Sequence, residues 1–205
     1  EIIKSGGRVM KNVTGLDLVK LQAGAHGTLG VLTEVTFKVL PRPEASASMV
    51  FDGLPDGEAV AAMSAALGSP FEVSGAAHLP AGVAGESAQT LLRFENFTAS
   101  IDYRFKALAA MLKRFGNPRR IDGSASEKLW VDIRDCQLLA TPRETALWRL
   151  SVKPSDAPRV ADIIRNGLTD AKLFYDWGGG LIWLATASVK DAGATVIRAA
   201  VKGKG

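Results

Sequence analysis

A chain of 205 residues, 47% hydrophobic and 22% charged, carries enough apolar material for one medium domain or a domain with a smaller companion. Its net charge of +4 comes from scattered residues such as Lys4, Arg8, Lys38, Arg119 and Arg120, without the concentrated basic patch that nucleic-acid binding requires. Cys136 stands alone, which excludes an internal disulfide, and His26 and His78 are too few for a histidine-built metal centre. No run of about 18 apolar residues exists and no leader pattern opens the chain, so no membrane span is expected and the cytoplasm is the expected compartment.

In chain order, Ile2 to Met10 reads as a strand, a Gly6-Gly7 turn and a second short strand, an opening that suggests entry into the middle of a domain. Asp17 to Leu21 suits a short helix, with Asp17 capping its first N–H groups and Gly24 stopping it. Val31, Thr33, Val35, Phe37 and Val39 then alternate with Leu32, Glu34, Thr36, Lys38 and Leu40, which predicts a strand ended by Pro41-Arg42-Pro43. Residues 41–45 read as a linker.

Gly15, Gly24, Gly27 and Gly30 precede that strand. The spacing Gly24-x-x-Gly27-x-x-Gly30 is not the dinucleotide fingerprint and does not lie between a strand and a long helix. Two readings stay open. The glycines make a tight turn, or their bare N–H groups bond a phosphate or the edge of a heterocycle, with Asn12 and Thr14 adding side-chain donors.

Beyond the linker the pattern predicts a strand over 47–52, a helix over 57–67, strands over 72–79 and 89–97, and a helix over 99–115 whose Ile101, Phe105, Leu108, Leu112 and Phe115 form one apolar stripe. A short strand over 119–121 and a helix opened by the capping-box pattern Ser124-x-x-Glu127, carrying Leu129, Trp130 and Ile133, follow. The order then repeats: strand 146–152, a helix near 156–166 capped by Ser155, strand 171–176, a turn through Gly178-Gly179-Gly180, strand 181–186 and a helix near 189–202. Two strand-helix-strand-strand-helix units predict an α+β domain, a mainly antiparallel sheet with helices on one face, like a duplicated ferredoxin-like motif.

Single residues outside the glycine loop favour structural roles. His26 has no carboxylate or nucleophile near it in sequence, so it reads as a polar loop residue rather than a general base. His78, between Ala77 and Leu79 in a strand, reads as a hydrogen-bonded core histidine, and Cys136 as a small buried hydrophobe on an amphipathic helix. Asp176 to Leu184 reads as a glycine-turned hairpin whose tryptophans pack a core or interface.

Five blocks in order carry a resemblance: Gly6-Gly7-Arg8-Val9-Met10-Lys11-Asn12-Val13-Thr14-Gly15-Leu16-Asp17-Leu18, Gly27-Thr28-Leu29-Gly30-Val31-Leu32-Thr33-Glu34-Val35, Lys38-Val39-Leu40-Pro41-Arg42-Pro43, Leu147-Trp148-Arg149-Leu150-Ser151 and Asp176-Trp177-Gly178-Gly179. Together they resemble the FAD-binding (E) subunits of bacterial glycolate oxidases, within the FAD-linked oxidases. The resemblance implies that residues 1–43 are the last part of a flavin domain and 46–205 an α+β cap. It implies FAD as cofactor of the full-length parent, with Gly27, Thr28, Gly30 and Val31 as backbone contacts and Asn12, Thr14, Gly15 and Asp17 shaping the wall. It also implies a sister FAD subunit, an iron–sulfur subunit, a small 2-hydroxy acid as substrate, and membrane association, if any, through those partners.

Certain family features are absent from this stretch. The family's phosphate-holding Gly-rich loop, its Asn-Pro-Gly close and the histidine motif of related 2-hydroxyacid dehydrogenases are not in it, so the chain is expected to be a fragment, inactive alone and without tightly held FAD. No residue is assigned as a catalytic base, and no metal site is expected. Three functions follow as alternatives: a subunit that oxidises glycolate to glyoxylate, a structural or electron-relay subunit without turnover of its own, and a D-lactate-type dehydrogenase.

Overall fold

The computed structural model describes residues 2–8, 15–188 and 190–202. The chain forms two compact units, residues 1–42 and 43–205.

In the first unit, Asp17 and the residues after it behave as their sequence predicts. Helix α1 spans Leu18–Gln22, and the Asp17 carboxylate accepts from the Lys20 N–H at 3.2 Å while standing 3.1 Å from the Lys20 ammonium. Gly24, just past the helix end, takes φ +79°. The strand predicted over 31–40 does not form: residues 31–43 carry no regular structure, and neither do 2–8 of the predicted opening hairpin, whose Val9 and Met10 lie outside the described residues. The reason is the lack of a partner. Period-2 alternation specifies which faces a strand would present, but a strand exists only where a neighbour takes up its N–H and C=O groups, and the first unit has no strand among the described residues.

The second unit supplies such neighbours throughout. Strands β1 (Ala45–Asp52), β2 (Gly75–Leu79), β3 (Gln89–Asn96), β4 (Arg119–Asp122), β5 (Thr145–Ser151), β6 (Lys172–Asp176) and β7 (Leu181–Ala187) form one antiparallel sheet in the order β4-β1-β3-β2-β6-β7-β5. This is the expected α+β architecture. The first half, β1 to β4, is a ferredoxin-like unit, and β5 to β7 repeat its first three strands. Helices α2 (Asp56–Leu67), α3 (Thr98–Met111), α5 (Ala157–Gly167) and α6 (Ala194–Val201) contribute to one core with Met49, Phe51, Leu92, Phe94, Ile182 and Leu184. The predicted stripe of α3 buries Ile101 and Leu108, with Leu112 just beyond the helix end.

Helix α4 (Gly123–Arg134) goes to the other face. Its Trp130 and Ile133 pack with Val50, Leu79, Leu91 and Phe174 in a second core. Buried polar groups fix it there: Trp130 Nε1–H donates to Ser48 Oγ at 2.8 Å, and the Ser126 hydroxyl lies 2.7 Å from the same oxygen. Ser124 lies inside the helix, and the N-cap is Asp122, whose side chain accepts from Arg120 and makes no capping bond, so the helix does not start at the capping box predicted at Ser124 and Glu127. The Ser155 cap of α5 is likewise replaced, by a 3-10 turn over Pro154–Asp156 that runs into the helix.

Candidate functional site

Three places bring polar or aromatic groups together. The first is the glycine loop of the first unit. Gln22 to Thr28 forms two successive turns, Ala25 N–H to Gln22 O at 3.1 Å and Thr28 N–H to Ala25 O at 3.0 Å, and the Thr28 hydroxyl also donates to Ala25 O at 2.7 Å. Gly15 and Gly27 hold φ +86° and +75°, and a Cβ at either would meet nothing within 4 Å. The predicted residues therefore divide by role. Thr28 and Asp17 use their polar atoms inside the loop and the helix cap, whereas the N–H groups of Gly27, Gly30 and Val31 form no hydrogen bond among the described residues. Asn12 and Thr14 lie outside those residues. Unpaired backbone donors on an exposed loop suit the polar edge of a flavin or a phosphate, so the chemistry of the loop fits FAD. His26, also exposed and at φ +50°, has no partner among the described residues to orient it as a base.

The second place is a polar cluster inside the second unit, which sequence reasoning found only in part. The Asp56 carboxylate, in the first turn of α2, receives Arg165 Nη1–H at 2.6 Å, the Tyr175 hydroxyl, and His78 Nε2 at 3.2 Å. His78 Nδ1 lies 2.9 Å from Thr90 Oγ1. Burial pushes the Asp56 carboxyl up, but hydrogen bonds from His78, Tyr175 and Arg165 and the charge of Arg165 outweigh it and hold the group well below the usual carboxylate range. An ionised Asp56 only accepts, so His78 Nε2 carries the proton. Burial, then the adjacent Asp56 charge, drives the Tyr175 phenol far above its ordinary value. His78 is thus the hydrogen-bonded core histidine its sequence context predicts. Its partners lie 22 (Asp56) and 12 (Thr90) residues away along the chain, and Asp56 meets Arg165 across 109 and Tyr175 across 119, so no local pattern could have disclosed the cluster.

The third place is the β6–β7 hairpin and its neighbours. A 3-10 turn, Trp177–Gly179, joins the strands as predicted. Trp177 is 61% exposed, and the Arg149 guanidinium of β5 stands 5.0 Å from its ring and 6.0 Å from that of Trp183. Burial raises the Asp176 carboxyl against the Trp177 N–H it accepts and the charge of Arg93. Cys136 follows α4 rather than lying on it. Burial, with the charges of Asp176 and Asp135, pushes its thiol up to about 11, the state of an inert buried cysteine. At the other end of these strands a cavity of about 640 Å³ is lined by Leu139, Glu144, Asp170, Lys172 and Thr186 among others. Among the described residues no group of histidine, cysteine, aspartate and glutamate is arranged to hold a metal ion, and no helix is long and apolar enough to cross a membrane.

Comparison with known proteins finds relatives in sequence and in fold. The chain is 33% identical over 186 residues, 91% of its length, to the glycolate oxidase subunit GlcE of Escherichia coli, of which it covers 45%. Over 50 residues it is 42% identical to the glycolate oxidase subunit GlcD of Bacillus subtilis and 44% identical to a D-lactate dehydrogenase of Anaerostipes hadrus, covering 11% and 10% of them. Two solved structures of alkyldihydroxyacetonephosphate synthase share the fold, with a TM-score of 0.66, 14% identity, 93% and 95% of this chain covered and 45% of each of theirs. No family model matches. The chain spans about half the length of the GlcE subunit it matches.

Proposed function

We propose that this chain is part of the FAD-binding E-type subunit of a complex that oxidises glycolate to glyoxylate. The observation that carries the reading is the 33% identity to GlcE, which runs over nine-tenths of the chain and not over an isolated motif. In this reading residues 1–43 belong to the flavin domain and 46–205 form the α+β cap. The N–H groups of Gly27, Gly30 and Val31 bond the cofactor, Gly15 keeps the backbone close to it, and Asp17 and Thr28 hold the loop's shape, with Asn12 and Thr14 beside them. FAD, when bound, supplies the acceptor for the hydride of the substrate α-carbon. A GlcD-type sister subunit and an iron–sulfur subunit complete the complex, on the cytoplasmic side.

The test uses the full-length subunit, alone and with its sister. Bound flavin absorbing near ~450 nm and glycolate-dependent dye reduction support the reading. Turnover with D-lactate and none with glycolate would shift it to the D-lactate-type dehydrogenases. A second reading, an electron-relay subunit without its own turnover, is favoured by one observation. The Asp56 carboxylate, the centre of an ionisable cluster among the described residues, is already occupied by donors from His78, Arg165 and Tyr175. Glycolate turnover by the subunit without its sister refutes the relay.

A further inference from the structure

The sheet of the second unit is continuous in order but not in pairing. β1 and β3 are paired from Ala45↔Asn96 to Asp52↔Gln89, and β5 and β7 from Thr145↔Ala187 to Ser151↔Leu181. β2 and β6, the corresponding strands of the two halves, meet at one paired position, His78↔Tyr175. The side chains of both residues also reach Asp56.

One carboxylate therefore sits over the seam and holds donors from both sides. His78 and α2 belong to the first half, while Tyr175 and Arg165 of α5 belong to the second. Thr90 of β3 backs the histidine, and Asp162 stands 3.7 Å from the Arg165 guanidinium. The glycine turn after β6 reinforces the join, because a Cβ on Gly179 would lie 3.2 Å from Val60 of α2. Water already touches the rim of the cluster: the Asp56 and Arg165 side chains are 15% and 34% exposed, whereas His78 is fully enclosed.

We propose that this seam is a joint: the halves β1–β4 and β5–β7 separate there in a local opening that precedes global unfolding, and Asp56 is the latch that keeps it shut. Few backbone hydrogen bonds cross the seam, so opening it disturbs few ladder bonds. Its polar contacts can be replaced by water, whereas the two apolar cores, each of which holds residues of both halves, are the part of the join that water cannot replace. The latch is specific to one carboxylate because the other three side chains are donors that have no acceptor in common except Asp56.

Hydrogen exchange followed by mass spectrometry on the 205-residue chain and its Asp56→Asn variant tests this, with rates referred to the intrinsic exchange at the same pH. Amides of β2, β6 and the 177–180 turn should exchange about tenfold faster in the variant, while the centres of β1, β3, β5 and β7 keep their rates. An equal rise over both halves would show global destabilisation and overturn the joint, as would no change at the seam. Tyr175→Phe keeps the ring and removes one donor, so it decides by the same criterion if Asp56→Asn fails to fold.

Discussion

The two units treat equally apolar sequence in opposite ways. Residues 31–40 alternate as cleanly as β1 does, yet Val31 is 91% and Phe37 78% exposed, whereas Met49 and Phe51 of β1 are buried. Apolar patterning states which side chains want a partner, and burial occurs only where the tertiary structure provides one.

The contrast can be broken most severely inside the second unit. Phe94→Ala should cost about 3–5 kcal/mol in urea unfolding by emptying the space between β3 and α3. Asp56→Ala should cost a similar ~3–5 kcal/mol, because it leaves the Arg165 guanidinium and two further donors without their acceptor. Gly179→Ala, at φ +100° and against Val60, should cost about 1–3 kcal/mol in the same measurement. Phe37→Ser in the first unit should stay within about 0.5 kcal/mol, and a loss comparable to that of Phe94→Ala would refute the contrast.

Titration sharpens the same point. Asp56 has a folded pKa below its unfolded value, so its contribution is complete above the ordinary carboxylate pKa of about 3.9 and is lost as pH falls toward the lower folded value. Urea midpoints between about pH 6 and pH 2.5 should fall less steeply with acid in Asp56→Asn than in the parent chain; parallel curves would mean that Asp56 is not the titrating group. Cys136, with its thiol at about 11, should resist a disulfide reagent near pH ~8 until urea unfolds the chain. Immediate labelling of the folded chain would contradict its burial.

Much of the second unit was legible in sequence because its signals are local. The stripe of α3, the alternation of β5 and the glycine turn between β6 and β7 each recur at helix or strand spacing and were recovered within a few residues. Caps were read less well. Ser124 and Ser155 match capping patterns, but the backbone starts each helix elsewhere, and a cap depends on one N–H geometry that sequence spacing does not specify. The glycine loop was legible as a loop with free donors. Which of its residues keep donors available was not, since Thr28 turns both of its own onto Ala25 O.

By itself, the sequence determined the α+β class, the order of the elements in the second unit and the duplicated plan, because these rest on local periodicity, and it carried the similarity to GlcE. Only the tertiary structure decided that α4 crosses to the second face, that residues 31–40 form no strand, and that one carboxylate gathers His78, Arg165 and Tyr175 across the seam. The reason is the same in each case: whether a face is covered, a ladder is completed or a buried charge is matched depends on what a distant part of the chain places beside it.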